Sequence, residues 1–286
     1  MRKRWLVNLA LLAAALVLAA ALWSHPKPAV RSAPPVLTAL KPAAITRITI
    51  ERPGYPTIGL ERTARNRWRL TTPLAARADR FRAEAIANMA DAAVEDHFAA
   101  PADLARFGLA PPQTILHLNG VALEIGARHP FAPLRYVLNG GTVDLIAAQA
   151  LHPARLTLDS FLSTRLLGRQ IQPTAFIMPA FSVTRVKGIW RLAPASNKIS
   201  NDHINSFVDK WRYARALRVT RYHGRQPVIG QITIRYREGV GGRAHSRLLH
   251  VDILSTTPEV VLLRPRERLA YHFPQEIGER MLHIAP

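Results

Sequence analysis

The sequence predicts an α+β protein, an N-terminal transmembrane helix followed by two similar antiparallel-sheet-plus-helix units. Three observations carry this reading. An unbroken apolar stretch runs from Leu9 to Trp23 near the start of the chain. Period-two strand patterns then alternate with short amphipathic helices. The order of these elements recurs in the second half, where Trp190-Arg191-Leu192 echoes Trp68-Arg69-Leu70.

The anchor comes first. Met1-Arg2-Lys3-Arg4 precedes a span from Trp5 to Trp23. At about 1.5 Å per residue that span covers roughly 28 Å, close to the hydrocarbon thickness of a bilayer. Trp5 and Trp23 stand at its ends, where indoles favour the interface, and the basic cluster places the N-terminus in the cytoplasm. A cleaved signal peptide is the competing reading, with Ala19-Ala20-Ala21 as the small residues. The apolar core is longer than the ~7–15 residues of an h-region, which favours an uncleaved anchor. The expected location is the bacterial inner membrane, single-pass, with the folded domain periplasmic. Pro26, Pro28, Pro34, Pro35 and Pro42 make residues 24–44 an extended, poorly packed stalk. The predicted organisation is therefore 1–23 cytoplasmic tip and anchor, 24–44 stalk, 45–165 first repeat and 166–286 second repeat.

The first repeat opens on Ile45–Ile50, which alternates as a half-buried strand. Thr57–Arg62 and Arg67–Leu70 form a hairpin around Ala64-Arg65-Asn66, closed by Pro73. Asp79 is an N-cap for a helix with Phe81, Ala85, Ile86, Met89, Ala93 and Val94 on one face. A short helix follows from Pro101 to Phe107. Gly108 ends it in the left-handed conformation, with Leu109 folding back on Leu104, and Pro111-Pro112 bars continuation. Strands are expected at Thr114–Leu118, Val121–Ile125, Arg135–Leu138 and Val143–Ile146, the last two joined by Asn139-Gly140-Gly141. Ala147–Leu151 starts another short helix.

The second repeat reads likewise. Ala175–Ile177 and Ser182–Val186 lead to Trp190-Arg191-Leu192 and Pro194. Asn201 caps a helix carrying Ile204, Phe207, Val208 and Trp211. Strands follow at Gln231–Tyr236, Leu248–Ile253, Val260–Leu263 and Ala270–Phe273, and Gln275–Leu282 forms the terminal helix. Trp68 to Trp190 and Asp79 to Asn201 share one offset, 122 residues, as an internal duplication would produce.

Composition bounds the chemistry. The 286 residues are 48% hydrophobic and 20% charged, an ordinary globular balance. With no cysteine, structural disulfides, thiolate metal sites and a cysteine nucleophile are excluded. The net charge of +20 favours anionic partners. Its arginines are scattered (Arg62, Arg65, Arg67, Arg69; Arg77, Arg80, Arg82; Arg212, Arg215, Arg218, Arg221) and form no run of five like charges. A generally basic solvated surface is thus the simpler account.

No H-E-x-x-H, P-loop, G-x-G-x-x-G or G-x-S-x-G pattern occurs. Asp91, Glu95, Asp96 and His97 gather carboxylates and an imidazole, but read more simply as a solvated helix end than as a metal site. His245 and His250 read as hairpin surface, and Trp68 and Trp190 as core anchors rather than ligand platforms. Arg67-Trp68-Arg69 and Arg212-Tyr213 have a nucleic-acid-like alternation; placement outside the membrane argues against that partner. No catalytic, cofactor-binding or metal residue is assigned, and no cofactor is expected.

The run Pro101-Ala102-Asp103-Leu104-Ala105-Arg106-Phe107-Gly108-Leu109-Ala110-Pro111-Pro112 resembles the signature of a bacterial family known as domain of unknown function 4340. The upstream Trp-Arg-Leu-x-x-Pro, the Asp79 helix, Ile125-Gly126 and Arg135-Tyr136-Val137 resemble its strand and turn pattern over roughly residues 45–150. The resemblance implies a membrane-tethered envelope protein without known catalytic residues, some members being similar to partners of transport systems related to gliding-motility ABC components. The expected function is a non-enzymatic, inner-membrane-anchored periplasmic protein. It would bind or scaffold a partner in an envelope complex such as a transport system. The alternatives are a binding module for an anionic ligand (phospholipid head groups or a polyanionic polymer) and, less well supported, an envelope hydrolase.

Overall fold

The computed structural model describes residues 13, 15–17, 35–168, 171–238 and 245–285. Most of the predicted anchor lies outside the described residues, among which no helix is long and apolar enough to cross a membrane.

Alternating apolar residues build the first sheet. β1 (Arg47–Glu51), β2 (Ile58–Arg62) and β3 (Trp68–Thr72) bury Ile48, Ile50, Ile58, Leu60, Trp68 and Leu70. The two-residue β4 (Ala76–Arg77) borders β3. Helix α1 (Arg80–Ala87) leads through a 3-10 turn to β5 (Val94–Ala99), β6 (Thr114–Leu118), β7 (Val121–Arg128), β8 (Leu134–Asn139) and β9 (Thr142–Ala147). The strand order is β4-β3-β2-β1-β6-β7-β8-β9-β5.

A 3-10 turn at His152–Arg155 and the single-turn α2 (Leu158–Phe161) connect to the second sheet. There β10 (Gln172–Ile177), β11 (Ser182–Val186), β12 (Ile189–Ala193), α3 (Asn201–Tyr213), β13 (Arg218–Arg221), β14 (Gly230–Glu238), β15 (His245–Ser255), β16 (Glu259–Arg264), β17 (Leu269–Pro274) and α4 (Gln275–Leu282) follow in turn. The order is β12-β11-β10-β14-β15-β16-β17-β13. Apart from β4, each strand occupies the place of its counterpart in the first sheet, and the helix falls at the same point in both.

The single predicted offset does not hold. Trp68 and Trp190 are 122 residues apart, yet Pro73 and Pro194 are 121 apart. The difference is a bulge in β3: Gly59 pairs with Thr72 and Leu60 with Leu70, leaving Thr71 extra. A Cβ on Gly59 would lie 2.8 Å from Thr71 Oγ1, so glycine makes room for the bulge. The second helix is capped by Ser200, not Asn201. Ser200 has extended backbone and its hydroxyl accepts the His203 N–H at 3.3 Å, while the His203 ring accepts the Ser200 N–H at 3.4 Å. Asp79 caps α1 as expected, accepting from the Arg82 N–H at 3.1 Å.

Other boundaries also differ. The first helix ends at Ala87, Phe81 points outward at 64% exposure, and Val94 opens an edge strand paired with Ile146. Tertiary pairing therefore overrides the helical period there. The expected Pro101–Phe107 helix is one 3-10 turn, Ala105–Phe107, and the turn after β9 becomes 3-10 only at His152. In the segment read as a poorly packed stalk, Leu37 is buried. Its N–H donates to Ala92 O and that of Thr38 to Ala90 O, both at 2.9 Å. Leu37 and Thr38 lie between Pro35 and Pro42, where no proline removes their donors.

One continuous apolar cluster joins both sheets, with Ile86, Phe161, Leu162, Leu166 and Leu167 linking it to Phe176, Phe207 and Trp211. One end of the face of each sheet opposite this cluster is covered by the equivalent connection. After β5, the family-like run lays Phe107 and Leu109 over Val143, with Phe98, Tyr136 and Leu138 beside them. Gly108 takes φ +63, as predicted, and the Leu109 N–H donates to Leu104 O at 3.2 Å. A Cβ on Gly126 would stand 2.4 Å from Phe107 O, so only glycine lets the run close. After β13, Tyr222 covers a smaller group, Leu254, Val261, Leu263 and Ala270.

Candidate functional site

Two helices lie on the core side of the second sheet. α3 buries Ile204, Phe207, Val208 and Trp211, and the Trp211 indole donates to Met281 O at 2.7 Å, tying α3 to α4. A Cβ on Gly278 would fall 2.2 Å from Val260 Cβ, so α4 sits directly on β16. Between the outer sides of these helices run two adjacent grooves of about 450 and 620 Å³. The first is lined by His203, Phe207, Lys210, Glu276, Arg280 and Ile284. In the second, Tyr213 and Ile277 are exposed at 58% and 37% beside Asp202, Asp209 and Lys210. Arg212 stacks over Tyr213 at 5.3 Å and approaches Asp209, while Arg280 pairs with Glu276 one turn away. The result is an apolar centre with a rim of both charges, a composition suited to a protein surface.

The other face of the second sheet is chemically different. Strand registers place Ala193, Ser182, Ile177, Thr233 and His250 in one row across β12, β11, β10, β14 and β15. Arg191, Thr184, Ala175, Arg235 and Leu248 form the next row, with Ile189, Val186, Arg237 and Ser246 beyond it. Ile177, Val186, Ile189 and Leu248 are each about half exposed on this face, at 43–53%. Asp252, on the same side of β15, is buried towards the Tyr222 end and accepts from Gln231 at 3.3 Å.

Two polar networks join residues that are far apart in sequence. At one edge, Arg218 donates to both carboxylate oxygens of Glu259, at 2.8 and 2.7 Å. His272 Nδ1 lies 3.2 Å from Glu259 and its Nε2 lies 2.9 Å from Thr220 Oγ1. The Arg218 hydrogen bonds hold the Glu259 carboxyl below the usual range. Desolvation, with Arg218 nearby, lowers His272. A hydroxyl–imidazole–carboxylate order resembles a proton relay, but these residues stand on neighbouring strands outside both grooves. They fasten β13 and β16 to β17.

At the junction of the sheets, Arg77 donates to the carbonyls of Arg165 and Leu166, at 2.9 and 3.0 Å, and to Tyr271 Oη at 2.9 Å. Arg264 donates to Leu166 O at 3.0 Å and pairs with Glu267 at 2.9 Å. Burial, then the Arg77 charge, lowers Arg264, while burial raises Tyr271. Sequence spacing gave no sign of either network, because most of the partners lie far apart in sequence and meet only through the pairing of the strands.

The residues singled out by sequence are not drawn together. Asp91 ends a 3-10 turn while Glu95, Asp96 and His97 lie along β5 rather than on a helix end. Among the described residues no His, Asp and Glu group is arranged to hold a metal ion. Trp68 is buried with Arg62 stacked on it at 4.7 Å, and Trp190 packs against Phe176 at 6.0 Å, so both serve the core. His245 and His250 are exposed on β15.

Neither a curated protein nor a solved structure matches this chain. A family model does, over residues 68–223, from β3 through α1, the Phe107 cover and α3 to just past β13. The match spans more than half of the 286 residues, and the chain belongs to the family described as domain of unknown function (DUF4340).

Proposed function

We propose that this is a non-enzymatic, inner-membrane-anchored periplasmic protein whose duplicated α+β unit binds a partner and scaffolds an envelope complex, with a transport system the leading candidate. The observation carrying the reading is the α3–α4 surface, with Tyr213 and Ile277 exposed within a rim of Asp202, Asp209, Lys210, Glu276 and Arg280. The apolar Trp5–Trp23 span, preceded by Arg2, Lys3 and Arg4, supports the anchor. The common strand order of the two sheets supports duplication.

Purification of the full chain from mild detergent, with a photo-crosslinker at Tyr213, tests the reading. A reproducible membrane-protein adduct that Ile277→Asp weakens is expected. Absence of any reproducible partner would sink it. The second reading, an anionic-ligand module, draws on the Arg191–Arg235 face of the second sheet.

A further inference from the structure

We infer that the outer face of the second sheet docks on an anionic phospholipid surface. This rests on the anchored reading only in that the anchor brings a bilayer close. The sheet presents Arg191, Arg235 and Arg237 with His250, interspersed with the exposed aliphatic residues Ile177, Val186, Ile189 and Leu248. No carboxylate pairs with those three arginines among the described residues. Cationic groups among half-exposed aliphatics match the head-group layer, where phosphates attract the guanidinium groups and aliphatic side chains gain a partly apolar environment.

The first sheet provides an internal control. Its equivalent face carries Arg47 opposite Glu61, Glu61 opposite Arg69, Glu51 opposite Ile115 and Ile115 opposite Glu124. Glu51 also approaches His117 at 3.6 Å. Carboxylates lie among the arginines there and give an ordinary solvated face, so strand order alone does not produce the basic one. The α3–α4 grooves lie on the opposite side of the second sheet, which leaves them free while the basic face is occupied. From Trp23 to Pro35 the chain can span at most roughly 40 Å, short enough to keep the folded part beside the bilayer.

Because the chain has no cysteine, single thiols report position cleanly. Ser182→Cys on the basic face and Thr49→Cys on the first sheet are labelled with a fluorophore in the full chain. Each is placed in nanodiscs of phosphatidylcholine, with or without phosphatidylglycerol, carrying a nitroxide-labelled lipid. Quenching at position 182 in the anionic discs, with none at position 49, is expected. High salt should reverse it, Arg191→Glu with Arg235→Glu should weaken it at least about tenfold, and the corresponding lysine pair should retain it. Equal quenching at both positions, or none at 182 in anionic discs, overturns the inference. If the chain fails to enter discs, the anchor reading fails. The same labelled chain is then added to phosphatidylglycerol vesicles, where quenching at 182 still supports the face and its absence overturns it. Protection of position 182 in native membranes but not in vesicles of their extracted lipids also overturns it, in favour of an acidic protein.

Discussion

Equivalent sheet faces carry different chemistry in the two halves of this protein. In the first, Arg47 and Arg69 share the face with Glu51, Glu61 and Glu124, and the long connection bearing Phe107 seals the β7–β9 end. In the second, the connection is shorter, Tyr222 seals a smaller patch, and Arg191, Arg235 and Arg237 stand among exposed aliphatics. A common backbone order thus fixes which positions face outward, while the residues placed there decide whether the face is solvated or available for binding.

The covers should show the largest difference. Phe107→Ala is expected to cost about 3–5 kcal/mol, because it empties a buried aromatic site between Phe98 and Tyr136. Tyr222→Ala should cost about 1–2 kcal/mol, since that ring is only partly buried. Urea denaturation of the two variants measures both, and equal losses would break the contrast between the covers.

Close approaches come next. Gly278→Ala should destabilise by about 1–3 kcal/mol, since β16 backs directly onto α4 at Val260. Gly120→Ala has open space but a left-handed backbone at φ +95, so it should cost about 1 kcal/mol through conformation alone. Differential scanning calorimetry ranks the pair, and a larger loss at Gly120 would contradict the packing of α4.

Acid should act oppositely on two carboxylates. Burial raises Asp144 in β9. The folded state therefore binds its proton more readily than the unfolded chain, and this group adds stability as pH falls through its folded pKa. Asp144→Asn should raise the Tm at neutral pH, with the gain fading in acid. The lowered Glu259 contributes stability above its unfolded pKa, and that stability is lost as pH falls through the folded value. Glu259→Gln should lower the Tm at neutral pH, and its deficit should also fade in acid. Melting curves from neutral to acid pH would refute this if both substitutions shift Tm in the same direction at neutral pH.

Surface charge should matter least for folding. Arg191→Glu with Arg235→Glu, and Arg47→Glu with Arg69→Glu, should each change stability by no more than about 0.5 kcal/mol per site. Both positions of the second pair face Glu61 across the strands, so it should be the more destabilising of the two through like-charge contacts. Chemical denaturation at low salt would detect the reverse order.

Local signals were legible wherever the physics was local. Asp79 as a cap, Gly108 as a left-handed stop, Asn139-Gly140-Gly141 as a turn and Gln275–Leu282 as a helix all depend on a few neighbouring residues. Edge strands were not legible. β5, with Glu95, Asp96 and His97 exposed, has too little alternation to reveal itself, and pairing with β9 supplies what its sequence lacks. β13 is short and half polar, and is held by β17 and the Glu259–Arg218 clamp.

The sequence by itself determined the α+β class, the repeated Trp-Arg-Leu strand and the kinship carried by the Phe107-Gly108-Leu109 run, because hydrophobic period, backbone freedom and capping act over a few residues. Tertiary structure decided which arginines share the open face, which helices border the grooves and how Arg77 and Arg264 meet Glu267 and Tyr271. Those outcomes depend on strand register and sheet order, and a one-residue slip such as the Thr71 bulge moves side chains from one face to the other.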